Sequence, residues 1–360
     1  RARGGRVEQR PFRQPALLMP PILSRRAPEE LRALVVGMGS IGQRHLSLLR
    51  SAGVQHIVVQ TRRPAAVRVA TGAVVATTMD EALRSDPDLV LVCTTANLRI
   101  DAALAAVRQG CHLFVEKPLA NSMTGVEELR AVVQATGVTA VAGFDMRFDP
   151  GLCQVKTWID GGRIGRVLSI QAQVGQYLPD WRPGRNYWET ASARNEWGGG
   201  AIFELTHELD YVSWLVGRVD TVSCLSAKVS DLRLDVEDVA IMTLAFASGA
   251  VGSVHVDFLQ RVPTRTCRVI GELGSVEWDH QARTASLRLP DASQNEDFSY
   301  RAFERDDRFA AQMAHLLACV AGTSQPRADL NAAIDNLRLA LGAKLAASTS
   351  RAVHLQCVTA

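Results

Sequence analysis

From Leu31 to Ala142, short apolar runs alternate with longer stretches whose apolar positions recur at helical spacing. Leu31-Arg-Ala-Leu-Val-Val36 is one such run and ends on Gly37. Its near-continuous hydrophobicity predicts a parallel strand buried on both faces. The next stretch sets Ile41, Leu48, Leu49 and Ala52 on one side and stops at Gly53, which predicts a helix with Ser40 as its cap. His56–Val59, Ala73–Ala76, Asp88–Cys93, His112–Val115 and Val138–Ala142 are further strand candidates. Between them, Asn97 opens a helix carrying Ile100, Leu104 and Val107, and Ser122–Thr136 makes another. Strand and helix in strict alternation with short links predict a doubly wound parallel α/β sheet.

Beyond Pro150 the period changes. Val167–Val174, Val239–Phe246 and Val251–Phe258 alternate apolar and polar positions, and the last two are joined by Ser248-Gly249. That pattern predicts an antiparallel hairpin with one buried face, hence a second, α+β domain with a largely antiparallel sheet. Gln176–Gly200 is a long loop rich in Tyr and Trp among Pro, Gly and Arg, and a loop of that length is expected to serve function. Phe309–Val320 and Leu330–Ala347 read as closing helices. The expected organisation is a basic tail over 1–30, a dinucleotide-binding domain over 31–145, a substrate and oligomerisation domain over 146–308, and C-terminal helices over 309–360 that pack back on the body.

Composition narrows the function classes. The formal net charge is +3, but Arg1–Glu30 holds seven arginines against three glutamates, which leaves 33 basic and 34 acidic residues elsewhere. A near-neutral body argues against a nucleic-acid surface. The proline-rich tail has no periodicity and is expected to be disordered. No window holds eighteen uninterrupted apolar residues, so no membrane span is expected. Seven scattered cysteines, with no CxxC pair, suggest reduced thiols in a cytoplasmic protein, and no Cys, His and carboxylate cluster has metal-ligand spacing.

Chemistry enters at Gly37-Met-Gly39-Ser-Ile-Gly42, a GxGxxG element between a strand and a helix. Gly37 permits the tight turn, Gly39 lets backbone approach a pyrophosphate, and Gly42 lets helix and strand close together. The free N–H groups around Ser40 and Ile41 would then hold phosphate, as in a Rossmann fold. The second strand ends in Gln60-Thr61-Arg62-Arg63, with no carboxylate for a ribose 2′-hydroxyl. A hydroxyl and two guanidinium groups suit a 2′-phosphate, so NADP(H) is expected in preference to NAD(H), which stays possible. Thr94, Thr95, Asn97 and Glu116, at the carboxyl ends of the fourth and fifth strands, complete the expected cofactor set.

Lys117 follows in Glu116-Lys117-Pro118, and farther on comes Gly198-Gly-Gly-Ala-Ile-Phe-Glu204-Leu-Thr-His207-Glu208-Leu-Asp210. If that segment is one helix, Glu204 and His207 share a face, as do His207 and Asp210. A lysine, a histidine and a carboxylate could move a proton as hydride leaves carbon. Taken singly, a His on a helix is more often structural than catalytic, and a Lys before Pro is usually just exposed. Together with Gly143-Phe-Asp-Met-Arg147-Phe148-Asp-Pro150, Gly162-Arg-Ile-Gly165 and Glu237-Asp238, these residues resemble the glucose–fructose oxidoreductase/inositol dehydrogenase (Gfo/Idh/MocA) family over the chain from about Leu31 onward.

The resemblance implies reversible hydride transfer between nicotinamide and a ring carbon of a sugar, cyclitol or nucleotide sugar. It implies that Lys117 orients the reacting oxygen, that His207 is the acid/base with Glu204 in support, and that an open sheet forms a homodimer or homotetramer. The family usually places Asp four residues before the histidine, where this chain has Phe203, with Glu204 three before. Tyr177 to Tyr187 is similar to a subgroup associated with surface-polysaccharide sugars. On that basis Arg147, Trp181, Arg185, Tyr187 and Asp210 join Lys117 as expected substrate contacts, with packing of the loop aromatics at a subunit interface as the alternative. The rival functions are a reductase of a non-sugar carbonyl or imine, and a non-catalytic cofactor-binding sensor.

Overall fold

The structure is a computed structural model that describes residues 27–64 and 71–358. The expected basic tail lies outside the described residues except for its end, where Pro28–Glu30 form a 3-10 turn.

The first half is a six-stranded parallel sheet in the order β3-β2-β1-β4-β5-β6. Its strands are β1 (Arg32–Val36), β2 (His56–Gln60), β3 (Val74–Ala76), β4 (Leu89–Val92), β5 (His112–Val115) and β6 (Ala140–Ala142). This 3-2-1-4-5-6 order reverses direction between β1 and β4, which puts a ligand crevice at their carboxyl ends. Helices α1 (Ser40–Ser51), α2 (Met79–Leu83), α3 (Arg99–Arg108) and α4 (Val126–Thr136) connect the strands. β4 and β5 are buried at every position, as their unbroken hydrophobicity predicts.

Three helix starts differ from the sequence expectation. Ser40 is the first helical residue, not the cap; Gly39 takes that place with no side-chain cap bond. Asn97 lies in a 3-10 turn, Ala96–Leu98, that precedes α3. The stretch from Ser122 is irregular until Gly125, whose left-handed φ of +73° sets the entry to α4.

The second sheet has nine strands, ordered β14-β13-β12-β11-β7-β10-β9-β8-β15. The strands are β7 (Val167–Gly175), β8 (Val219–Ala227), β9 (Val239–Phe246), β10 (Val251–Asp257), β11 (Thr264–Gly271), β12 (Ser275–Asp279), β13 (Thr284–Arg288), β14 (Glu296–Ser299) and β15 (Val353–His354). All neighbours are antiparallel except β7 and β10. One face packs on α5 (Pro150–Asp160) and α7 (His207–Val216), which follows the four-residue helix α6 (Ala201–Glu204). The other face is open: Leu225, Ile241, His255, Gln173 and Thr266 form one row across it.

Helix α5 was not foreseen, because the Gly151 and Cys153 positions weaken its periodicity. Its start is well determined all the same. Pro150 occupies the first turn, and the Asp149 carboxylate accepts from Gly151 N and Leu152 N at 3.0 and 3.3 Å.

The two C-terminal helices, α8 (Arg305–Val320) and α9 (Leu330–Thr349), tie the sheets together. Met313, Leu316 and Cys319 of α8 join Leu46, Leu49 and Val35 in the core on one side of the first sheet. Ala333, Leu337 and Ala340 of α9 join the larger core that runs from β4 and β5 to the second sheet. All seven cysteines are free. Among the described residues no helix is long and apolar enough to cross a membrane, and no group of His, Cys, Asp and Glu is placed to hold a metal.

Candidate active site at the junction of the two sheets

The glycine turn sits at the switch point between β1 and β4. Gly37 has φ +93°, and its N–H donates to Gln60 O at 3.0 Å, pinning the end of β1 to β2. A Cβ on Gly42 would lie 2.0 Å from Gly37 O, so helix and strand approach as closely as they do only because this residue is glycine. Gly39 is different: a Cβ there meets nothing within 4 Å. Open space over a helix start without a side-chain cap is what a pyrophosphate needs.

Around that turn, Thr61 is buried and accepts from Arg63 N at 3.2 Å, while Arg62 and Arg63 are exposed. Thr95 Oγ1 donates to Asn97 Oδ1 at 2.7 Å, and Thr94 Oγ1 is buried without a partner. An orphaned hydroxyl beside the glycine turn fits a site built for a ligand group. Glu116 does not face outward. Its Oε1 pairs with His45 Nε2 at 2.7 Å, both groups buried, so it braces α1 against β5. The buried Arg99 donates to Thr94 O at 3.0 Å and to Pro118 O, which fixes the ends of β4 and β5 relative to each other.

Lys117 follows directly, half-buried, and its Nζ donates to the backbone carbonyl of Glu204 at 2.7 Å. Lys117 therefore bridges from the first sheet to the α6–α7 segment of the second domain. That segment is not one helix. α6 ends at Glu204 and α7 begins at His207, with Leu205 and Thr206 between them, so Glu204 and His207 do not share a continuous helical face. The carboxylate that pairs with His207 is instead Asp145, just past the carboxyl end of β6: His207 Nε2 lies 3.2 Å from Asp145 Oδ1. Asp145 Oδ2 accepts from Arg308 Nε of α8 at 2.6 Å.

The electrostatics follow from burial. Desolvation pushes the His207 imidazole well below the ordinary histidine value; Asp145 opposes this, while Lys117, Arg265 and Arg308 add to it. Desolvation would raise Asp145, but Arg308 and then His207 outweigh it and hold the carboxyl well below its usual range. The arrangement is thus a neutral imidazole on an ionised carboxylate beside a lysine. Behind it, Arg265 of β11 lies 2.8 Å from Glu208 Oε1 as a buried ion pair without hydrogen-bond alignment.

Arg147 and Asp210, expected to contact substrate, are committed to each other. Arg147 Nε and Nη2 reach the Asp210 carboxylate at 3.0 and 2.7 Å, and its Nη1 donates to Arg327 O. Both are buried, so the pair braces the 145–148 turn against α7. In the aromatic loop, Trp181 Nε1 donates to Gln176 O at 3.2 Å and its ring packs edge-on to Phe258. Tyr187 Oη accepts from Arg233 N at 3.1 Å, whereas Arg185 is exposed. Loop aromatics thus lean on the core while the Arg185 side chain is exposed to solvent.

Asp145, Arg308 and His45 were missed by sequence reasoning. Asp145 carried one usable signal, a carboxylate three residues beyond the last residue of a predicted strand's carboxyl end. Nothing local points to Arg308.

Comparison with known proteins matches this layout. Chain segments of 212 and 242 residues are each 28% identical to relatives, the 2,7-anhydro-N-acetylneuraminate hydratase of Escherichia coli (strain K12) and the levoglucosan dehydrogenase of Pseudarthrobacter phenanthrenivorans. Those segments cover 56% and 59% of this chain and span 54% and 60% of the two relatives, little more than half their length. The WlbA dehydrogenase from Bordetella pertussis, solved with NADH and UDP-GlcNAcA, shares the fold with a TM-score of 0.76 at 23% identity, over 90% of this chain and 98% of that one. Residues 31–144 match the oxidoreductase family with an NAD-binding Rossmann fold, and residues 152–277 match the GFO/IDH/MocA C-terminal domain. With both domains matched in order, the chain belongs to the GFO/IDH/MocA family of NAD-binding oxidoreductases.

Proposed function

We propose that this chain is an NAD(P)-dependent dehydrogenase or reductase that moves a hydride between nicotinamide and a ring carbon of a sugar, cyclitol or nucleotide sugar. The observation that carries this reading is the convergence of Lys117, from the glycine-turn sheet, with the neutral His207, from the second domain. The names of the relatives support the substrate class.

Bound nicotinamide supplies the hydride chemistry; the chain supplies position and proton. Lys117, held by the Glu204 carbonyl, binds and polarises the reacting oxygen, and His207 exchanges its proton. Glu204 acts through that carbonyl, keeping Nζ in place. Arg185 and the loop around Trp181 and Tyr187 border the substrate. NADP(H) is the preferred cofactor, because β2 ends in Thr61-Arg62-Arg63 with exposed guanidinium groups and no acid. The open sheet face, with Leu225, Ile241 and Val251 exposed on it, is the surface through which a cytoplasmic homodimer or homotetramer assembles.

Fluorescence titration with NADPH and NADH, followed by hydride-transfer assays on a panel of polyols, sugars and nucleotide sugars, tests the reading. One compound class should be turned over. Lys117→Met should lower kcat/KM about 10³-fold while nucleotide binding persists. Binding of neither nucleotide, or full turnover by the Met variant, would overturn it.

A further inference from the structure

The start of α8 lies beside the start of α1. Arg44 of α1 pairs with Asp306 of α8, its guanidinium stands 4.5 Å from the centroid of the Phe309 ring, and His45 meets that ring edge-on at 6.5 Å. Farther along, Leu46 and Leu49 share one core with Met313 and Leu316. Residue numbers rise together in the two helices, so they run parallel and present their first turns at the same place, the carboxyl edge of the first sheet. Arg44 is one turn beyond Ser40, and Arg305 directly precedes Asp306. Helical side chains lean toward the N-terminus of their own helix, which sets the Arg305 side chain level with the first turn of α1. Its direction follows from its neighbour one turn on. Arg305 and Phe309 share a face of α8, with the guanidinium carbon 5.9 Å from the ring centroid, and that ring faces α1.

Arg305 is exposed, and among the described residues its guanidinium has no hydrogen bond and no carboxylate within ion-pair reach. The acids around it are taken: Asp306 by Arg44, Asp145 by Arg308 and His207, and Glu304 by Arg283. Arg308 also stands 5.9 Å from the Phe309 centroid, so three guanidinium groups surround one ring and only Arg305 lacks a counter-charge. Partial desolvation and then the like charges of Arg44 and Arg308 draw its pKa below the ordinary arginine value. We propose that Arg305 reaches from α8 to the diphosphate of a dinucleotide held over Gly39 and Ser40, so that the bound nucleotide bridges α1 and α8. The proposal rests on the dinucleotide reading of the glycine turn and adds to it a contact from outside the first sheet. The turn has the room, since a Cβ on Gly39 meets nothing within 4 Å. Backbone N–H groups at a helix start carry only partial charge, and a guanidinium supplies the rest through paired N–H donors. Phe309 holds it from behind, which limits the freedom lost on binding. A substrate phosphate or carboxylate offers the same chemistry; the level of the first turn of α1 favours the cofactor. Arg62 and Arg63 stand at the end of β2, whereas the diphosphate is common to NADH and NADPH, so Arg305 adds affinity without choosing between them.

The test is fluorescence titration of the full chain and of Arg305→Ala with NADH and NADPH. The Kd should rise about tenfold for both nucleotides alike, and Arg305→Lys should recover part of the loss. The rise should shrink as salt is added. Without ligand the Ala variant should keep its Tm, because the side chain has no partner to lose, and the KM for substrate at saturating nucleotide should not move. Unchanged affinity for both nucleotides would overturn the proposal. So would a loss confined to NADPH, which would put Arg305 at the 2′-phosphate, or an unchanged Kd with a raised KM for a charged sugar, which would put the anion on the substrate. Failure of the function reading has its own signature: a parent chain that binds neither nucleotide, which removes the glycine-turn reading and this contact together.

Discussion

The two ends of the site are built by different means. At the proposed cofactor end, Gly37, Gly39 and Gly42 lie within one turn of chain, and Thr94, with its orphaned hydroxyl, follows the neighbouring strand β4 of the same sheet. At the proposed proton-transfer end, Lys117 comes from just past β5, Asp145 from the turn after β6, His207 from α7 and Arg308 from α8. The first end is a local backbone device that any chain of suitable turn chemistry can form. The second is a tertiary assembly, present only when both sheets and the C-terminal helices have docked. A local device should therefore fail by steric conflict, and the assembly by loss of charge balance.

The largest effect expected follows from that distinction. Gly42→Ala would place a Cβ 2.0 Å from Gly37 O, which no side-chain adjustment can relieve. The variant should lose about 3 kcal/mol or more of stability and more than tenfold in nucleotide affinity. Gly39→Ala is the contrast: with nothing within 4 Å of its Cβ and an ordinary φ of −71°, the fold should keep its Tm. Nucleotide binding should weaken nonetheless, because the methyl group takes space that a phosphate would use. Equal Tm losses in the two variants, measured by thermal unfolding without ligand, would contradict the assignment of Gly39 to the ligand side.

The same distinction explains what could be read from the chain beforehand. The parallel sheet was legible because its strands are apolar runs and glycine follows α1, α3 and α4 (Gly53, Gly110 and Gly137); β4 and β5 are buried at every position as that pattern requires. The glycine turn was legible because its chemistry is contiguous. The second sheet was legible only in part. β9 and β10 alternate cleanly, whereas β12, β13 and β14 are short strands broken by charged positions such as Glu277 and Asp297. The proton-transfer end was legible as residue types but not as pairings. Glu204 sits near His207 in sequence, and only the two-residue break between α6 and α7 turns it away, leaving its carbonyl for Lys117. Asp145 and Arg147 stand in one short segment, and nothing in their spacing says that the first meets His207 and the second meets Asp210. Side-chain partnership across elements is decided by docking, which periodicity does not encode.

Charge balance at the assembled end predicts a pH signature of intermediate size. His207 is held well below its ordinary value in the folded chain, chiefly by desolvation. In the unfolded chain it titrates near about 6.5, so below that pH the unfolded state binds a proton that the folded state refuses. Stability should therefore fall with pH, by up to about 1.4 kcal/mol per pH unit for this one group. Asp145, whose folded value is depressed by Arg308 against the opposing pull of desolvation, acts in the same direction only at lower pH, below about 3.9. Urea unfolding at pH 7 and pH 5 separates them: His207→Gln should lose less stability over that interval than the parent chain. Parallel losses would mean that His207 is already charged in the folded protein, and the neutral acid/base would have to be abandoned.

The smallest effect belongs to the rim of the local end and concerns cofactor choice. Arg62 and Arg63 are exposed, so each contact with a 2′-phosphate is solvent-screened and worth only about 1 kcal/mol or less. Replacing both with alanine should raise the Kd for NADPH roughly tenfold and leave that for NADH within about a factor of two. The NADPH effect should shrink as salt is added, because screening already removes part of it in the parent chain. An equal loss for both nucleotides would place the arginines on the shared pyrophosphate. No loss for either would leave Thr61 and the backbone as the whole of the ribose site, and the preference for NADP(H) would have no residue to rest on.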